Sequence, residues 1–226
     1  SAVSWGVFTY EQDWLDAQFW GISWLRRGVG RADAWMEWIN DSAAARGLTV
    51  QLCMANPAHF LSALRMPAVT TIRPSIDYIA PLPKVCFWPQ FHQVSMLAWA
   101  VGLLPFKDNF QSTSGQMPII TEPCPVQEAL ISALSAGMVG PSDRIGHSDP
   151  ELLLRTCRAD GLLLKPDRPA APLDAMFLPH SRPYTTITRS HRPGTGTWTY
   201  LAAYHLARRG GLPGLYDDLA ARISYD

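Results

Sequence analysis

Asp13 and Asp77 each stand just past an apolar run. A pair of carboxylates is what cleavage of a glycosidic bond requires, one attacking or assisting at the sugar carbon and the other protonating the leaving oxygen. A retaining site holds such a pair about 5 to 5.5 Å apart and an inverting site roughly 6.5 to 9.5 Å apart. Arg73, four residues before Asp77, has the fork of donors to hold a carboxylate or a sugar hydroxyl, or to form a structural salt bridge. Lys107, Asp108 and Asn109 crowd three polar groups directly after residues 103–106, a cluster able to bind several sugar hydroxyls or to make a turn. Asp143 and Arg144 follow residues 129–139 in the same way. An isolated aspartate at such a place is as readily a helix cap or a solvated loop acid, so the positions of the runs carry the argument.

Those runs cover residues 5–10, 48–54, 68–72, 103–106 and 129–139, and each stops at a polar or charged cluster or carries a cysteine, as Cys53 does. Chemistry gathered where strands end is what a barrel of parallel strands produces, because all its strand C-termini open on one face. Helical spacing fills the gaps between the runs, so strand and helix alternate. Ala32, Trp35, Met36, Ile39 and Ala43 predict a helix over residues 31–46, with Gly47 placed for a left-handed cap. Residues 94–101 and 127–135 predict two more. Ser148-Asp149-Pro150-Glu151 reads as a capping box that opens a further helix, with Ser148 as the cap.

From residue 161 the texture turns Pro-rich, and Thr197 to Leu201 mix β-branched and aromatic residues as an antiparallel strand does. The expected fold is α/β: a partial (β/α)8 barrel of about five strand-helix units over residues 1–160, where a closed barrel takes eight. A linker and the start of a β-sandwich domain follow over residues 161–226. Such a partial barrel is expected to expose open strand edges and apolar side chains such as Trp5, Trp20 and Trp35. A complete doubly wound sheet, which also gathers ligands at strand C-termini, is the alternative.

Other chemistries find less support. The chain has 226 residues, 47% of them hydrophobic, with 19 basic against 19 acidic side chains and no Lys/Arg block. Nucleic acid is therefore not an expected partner. No apolar stretch approaches the roughly 20 residues that cross a bilayer, so a membrane is not expected either, and the chain reads as soluble. Cys53, Cys86, Cys124 and Cys157 are irregularly spaced and read as buried thiols. His59, His92, His147, His180, His191 and His205 form no metal-binding spacing. Residues 133–137 place Ala133 where a nucleophilic serine elbow requires its first glycine, and no phosphate-cradling glycine loop occurs. Trp14, Trp20, Trp24 and Trp88 offer faces for sugar stacking or for the core.

Pro141-Ser142-Asp143-Arg144-Ile145-Gly146, then Leu152 to Gly161, then Leu164-Lys165-Pro166-Asp167-Arg168-Pro169, together resemble the end of the barrel in the raffinose synthase and seed-imbibition group, relatives of the α-galactosidases. The resemblance runs from about Trp5 to Phe177. It implies a (β/α)8 barrel with a following antiparallel β-domain, retaining chemistry on α-galactosides, an oligosaccharide or glycoside as the partner, and neither metal nor organic cofactor. Carried over by position, Asp13 matches the nucleophile and Asp77 the acid/base, with the Arg-x-x-x-Asp arrangement kept as Arg73 and Asp77. Cys53 matches a cysteine at a strand end, and Asp108 and Asp143 fall where sugar-contacting acids follow later strands. The chain departs from the group at Glu11, where a lysine is usual, and at Ile76, where a second aspartate is common. A catalytically silent carbohydrate-binding protein is the opposing reading that these departures leave open.

Overall fold

The computed structural model describes residues 2–79, 84–116, 121–177, 183–204, 206–208, 216–218 and 222–225. The chain divides into two compact units, Ser1–Pro74 with Leu97–Pro105, and Ser75–Met96 with Phe106–Asp226. His180, His205 and the side chain of Cys86 lie outside the described residues.

In the first unit, a short 3-10 turn (Ala2–Trp5) leads to strand β1 (Thr9–Gln12), helices α1 (Leu15–Gly21), α2 (Ser23–Arg26) and α3 (Arg31–Ala44), and strand β2 (Thr49–Leu52). Helix α4 (Pro57–Ser62) and strand β3 (Val69–Ile72) follow; α5 (Lys84–Ala100) runs from the second unit into the first, where β4 (Leu104–Pro105) completes the sheet. The order is β1-β2-β3-β4, every pair parallel. Strand, helix and strand thus alternate as the hydrophobic periodicity predicts.

Helix α3 shows how sequence sets the geometry. Gly47 has φ 67, and the Leu48 amide donates to the Ala43 carbonyl at 3.0 Å, so the expected glycine cap closes the helix. The buried stripe is Met36, Asn40 and Ala43, whereas Trp35 and Ile39 are only half-buried. Asn40 earns its interior place because its Oδ1 accepts from the Ala68 amide at 2.9 Å, tying the helix to the approach of β3. At α4, Asn56 caps the Ala58 and His59 amides while His59 returns a bond to the Asn56 amide, and Pro57 stands in the first turn. Among the described residues no helix is long and apolar enough to cross a membrane.

In the second unit, α6 (Pro125–Ala133) and α7 (Pro150–Leu154) precede an antiparallel sheet. Its strands are β5 (Ala171–Pro172), β6 (Tyr184–Arg192), β7 (Gly196–Tyr204) and β10 (Arg222–Tyr225), in the order β10-β7-β6-β5. A separate pair joins β8 (Leu206–Arg208) to β9 (Tyr216–Asp218). The core takes Phe87, Trp88 and Phe91 from α5, Ile131 from α6, and Tyr184, Ala202 and Tyr204 from the β6–β7 hairpin.

Three local expectations change. Asp149, not Ser148, caps α7, its Oδ1 accepting from the Leu152 amide at 3.0 Å. The fixed φ of Pro150 suits the first helical position, which makes the residue before it the cap. The last apolar run ends α6 and then yields only an isolated parallel bridge, Phe110 to Pro141. Glu11 and Gln12 lie inside β1, not beyond it, and only Asp13 of that polar cluster follows the strand. Trp5 and Trp20 are exposed as expected, at 82% and 66%, whereas Trp35 is half-buried.

Candidate active site

Register positions the candidate residues of the first unit. Glu11 pairs with Gln51 and Gln51 with Thr71, so these three side chains stand on one face of the sheet. Two residues further along come Asp13, Cys53 and Arg73. The ladder still holds there, with the Cys53 amide on the Gln12 carbonyl at 3.0 Å and the Arg73 amide on the Leu52 carbonyl at 2.8 Å. Asp13, Cys53 and Arg73 therefore gather at the C-terminal ends of three adjacent parallel strands, as the sequence pattern predicts. Below them Gln51 Nε2 donates to Glu11 Oε2 at 2.7 Å.

Burial pushes the Cys53 thiol well above its ordinary range, its hydrogen bond to Asp13 adds to this, and the Arg73 guanidinium pulls the other way. Cys53 is thus a protonated donor that orients the Asp13 carboxylate, and it is not a nucleophile. Glu11, Asp13 and Cys53 offer ligand atoms within 4.8 Å of one another.

Asp13 Oδ1 also accepts from the Trp14 amide at 2.6 Å. Trp14 holds φ 58, and Met54, just after β2, holds φ 51. The Asp16 amide bonds the Met54 carbonyl at 2.9 Å, which ties the two loops to each other. Asp108, shortly after β4, holds φ 79. Of the four described non-glycine residues with positive φ, three follow directly on parallel strands, and such strain collects where a fixed loop geometry serves a site.

The second unit carries Asp77, Lys107, Asp108, Asp143 and Arg144. Asp77 is exposed, next to Ile76 at 41% exposure. Asp108 is buried; its Oδ2 accepts from the Tyr78 amide at 2.6 Å and its Oδ1 from the Asn109 amide at 2.8 Å. It fastens the segment that follows Asp77. Ser142 Oγ donates to Asn109 Oδ1 at 2.7 Å, and Asp143 accepts from the Ser112 amide at 2.7 Å, from Ser112 Oγ at 2.6 Å and from Gln116 Nε2. The Arg144 amide donates to Gln116 Oε1 at 2.6 Å, and the residue itself is exposed. Asp108, Asn109, Asp143 and Arg144 are in this way braced into one pair of loops.

Lys107 is a correction. The sequence offers it to sugar hydroxyls or to a turn, yet its side chain is wholly buried and ion-paired with Glu128, which is equally buried. The rings of Tyr78, Phe87 and Phe110 lie 5.0 to 5.3 Å from its ammonium. Glu128 also accepts from Trp88 Nε1 at 3.0 Å. The apolar run before Lys107 and the helical position of Glu128 hold the signal for an interior pair, but their partnership spans about 20 residues of intervening sequence and has no local signature.

Burial raises the Asp143 carboxyl, but hydrogen bonds from Ser112, Gln116 and Ser148 outweigh it and leave the group below its ordinary range. Its stabilising contribution is therefore complete above the ordinary carboxylate pKa and is lost as pH falls through the lower folded value. Asp143→Asn is expected to lower the unfolding free energy at pH 7 by about 1.5–3 kcal/mol, the usual worth of hydrogen bonds to a charged group, and the urea midpoint with it. The variant should also lose less stability than the parent on acidification below pH 4. Parallel acid titrations of both proteins check this.

No protein family and no curated protein matches the chain. Among solved structures, the fold is similar to that of a GH27 β-L-arabinopyranosidase from Geobacillus stearothermophilus, with a TM-score of 0.59 and 12% sequence identity over 92% of this chain. The chain spans 47% of the length of that enzyme. The likeness is one of fold: α/β, with a parallel four-stranded sheet flanked by helices and an antiparallel sheet after it.

Proposed function

We propose that the protein cleaves or transfers an α-galactosyl or related glycosyl unit by a retaining mechanism, with Asp13 attacking the anomeric carbon and Asp77 serving first as acid, then as base. The observation that carries this reading is the convergence of Asp13, Cys53 and Arg73 at the ends of three adjacent parallel strands, above strained loops. The parallel sheet and its helices, within residues 1–160, belong in this reading to a (β/α)8 barrel, and residues 161–226 to a β-domain. The fold likeness to a GH27 glycosidase supports both parts.

The same likeness supports a substrate class in this reading. A β-L-arabinopyranoside has the ring configuration of an α-D-galactopyranoside without its C6 hydroxymethyl group, so one site can present the same contacts to both sugars. Asp108, Asp143 and Arg144 supply hydroxyl-binding groups, Arg73 holds a carboxylate or hydroxyl, and Cys53 fixes Asp13. The sequence resemblance to the raffinose synthases adds a sugar hydroxyl as an acceptor in place of water.

Turnover of 4-nitrophenyl α-D-galactopyranoside and 4-nitrophenyl β-L-arabinopyranoside tests the proposal. Release of nitrophenolate with net retention at the anomeric carbon is the expected result. Binding of either glycoside without turnover would identify a silent carbohydrate-binding protein instead, and an inverted product would remove Asp13 from the nucleophile's role.

A further inference from the structure

A groove of about 830 Å³ lies wholly within the second unit, between α6, α7, residues 164–166 and one face of the β6–β7 hairpin. Its walls are largely apolar: Val126, Leu130, Leu152, Trp198 and Tyr200 line it. Trp198 and Tyr200 alternate along β7, opposite Ser190 and Thr188, and so point to the same side of the sheet. They give the groove an aromatic wall.

Lys165 enters this groove beside Arg155 and Arg192, and no acidic side chain is among the described residues lining it. Lys165 Nζ donates to the Ser132 carbonyl at 2.6 Å. An amine buried among apolar walls, with no carboxylate among the described residues lining the groove, is disfavoured as an ammonium ion. Burial lowers its pKa to about 7. A neutral amine that donates one N–H to Ser132 keeps its lone pair for another partner, and a desolvated lysine is a nucleophile toward carbonyl carbon.

We propose that Lys165 is a covalent capture site for small aromatic aldehydes, held by the Trp198 and Tyr200 wall while Nζ forms an imine with the carbonyl carbon. The lone pair of Nζ adds to that carbon, the C=O pair moves to oxygen, and a proton passes from nitrogen to oxygen to give a carbinolamine. Expulsion of the hydroxyl, with the remaining N–H proton, releases one water and leaves the imine. No electrons are exchanged with any other group, and hydrolysis reverses the step.

The test uses benzaldehyde with the intact protein and sodium cyanoborohydride, which reduces any imine to a stable secondary amine, followed by peptide mapping. Nα-acetyl-lysine amide in the same mixture is the reference. At pH 7.5, Lys165 should be labelled on the order of 100-fold faster than the reference, the gain in neutral amine being partly offset by lower basicity. The rate should rise through about pH 7 and level off by about pH 8, and unfolding in urea should return it to the reference value. Trp198→Ala should slow labelling by up to about tenfold if the ring wall holds the aldehyde. Labelling of Lys165 no faster than the reference, or a rate still climbing at pH 10, would overturn the assignment. An unchanged rate in Trp198→Ala would overturn the aromatic preference.

Discussion

Asp13→Asn is expected to reduce turnover of an aryl α-galactoside on the order of 10⁴-fold, the scale on which loss of a nucleophile is felt. The folded structure should survive, because asparagine keeps the oxygen that accepts from the Trp14 amide. Equal melting temperatures for the two proteins would show that chemistry and not folding is lost. Asp77→Ala should behave differently: an acid matters most when the leaving group is poor. Its rate on a nitrophenyl glycoside should fall far less than its rate on a disaccharide, whose leaving alcohol needs a proton. If Asp77→Ala lowers both rates equally, Asp77 is not the acid. If Asp13→Asn retains more than about a tenth of the activity, another group attacks.

The largest effect on stability is expected at Lys107. Lys107→Met leaves Glu128 wholly buried without its cationic partner, and breaking a buried pair in this way costs about 3–5 kcal/mol. For a chain of this size the melting temperature should drop by roughly 10 °C. Adding Glu128→Gln removes the stranded charge while keeping an oxygen for Trp88 Nε1, and the double variant should regain more than half of the loss. Thermal melts of the parent, both single variants and the double variant close the cycle. A Lys107→Met protein as stable as its parent would show that the pair contributes nothing to the fold.

The sequence carries the fold at the level of periodicity and punctuation. Gly47 and the spacing of Met36 and Ala43 place α3 because a cap and an apolar stripe are local features. Strand β7 is visible in the β-branched and aromatic residues of 197–201 for the same reason, whereas its partner β6 is not. Asn40 was not legible as a core residue, since its burial depends on meeting the Ala68 amide from a distant segment. The parallel strands were overdrawn: β4 keeps only Leu104 and Pro105, and the last run leaves only the Phe110–Pro141 bridge beyond α6.

The candidate site was legible in part. Asp13, Cys53 and Arg73 come together because each follows a strand, and parallel register then does the rest. Lys107 followed the same rule and led inward, because the rings of Tyr78, Phe87 and Phe110 offer a cation an interior place that no local pattern announces. Lys165 stands in the sequence only as part of the stretch that carries the resemblance: a single lysine between Leu164 and Pro166 acquires its chemistry only from α6 and the hairpin that surround it.

Trapping of the glycosyl-enzyme tests the central claim most directly. A galactosyl donor fluorinated at C2 and carrying a nitrophenolate leaving group slows both steps by destabilising the oxocarbenium-like transition state, while the good leaving group keeps the first step accessible. The protein should gain the mass of one fluorinated sugar with release of one nitrophenolate, and peptide mapping should place the sugar on Asp13. A stoichiometric label on any other residue, or turnover of the unmodified glycoside with no trapped sugar and an inverted product, would contradict the account.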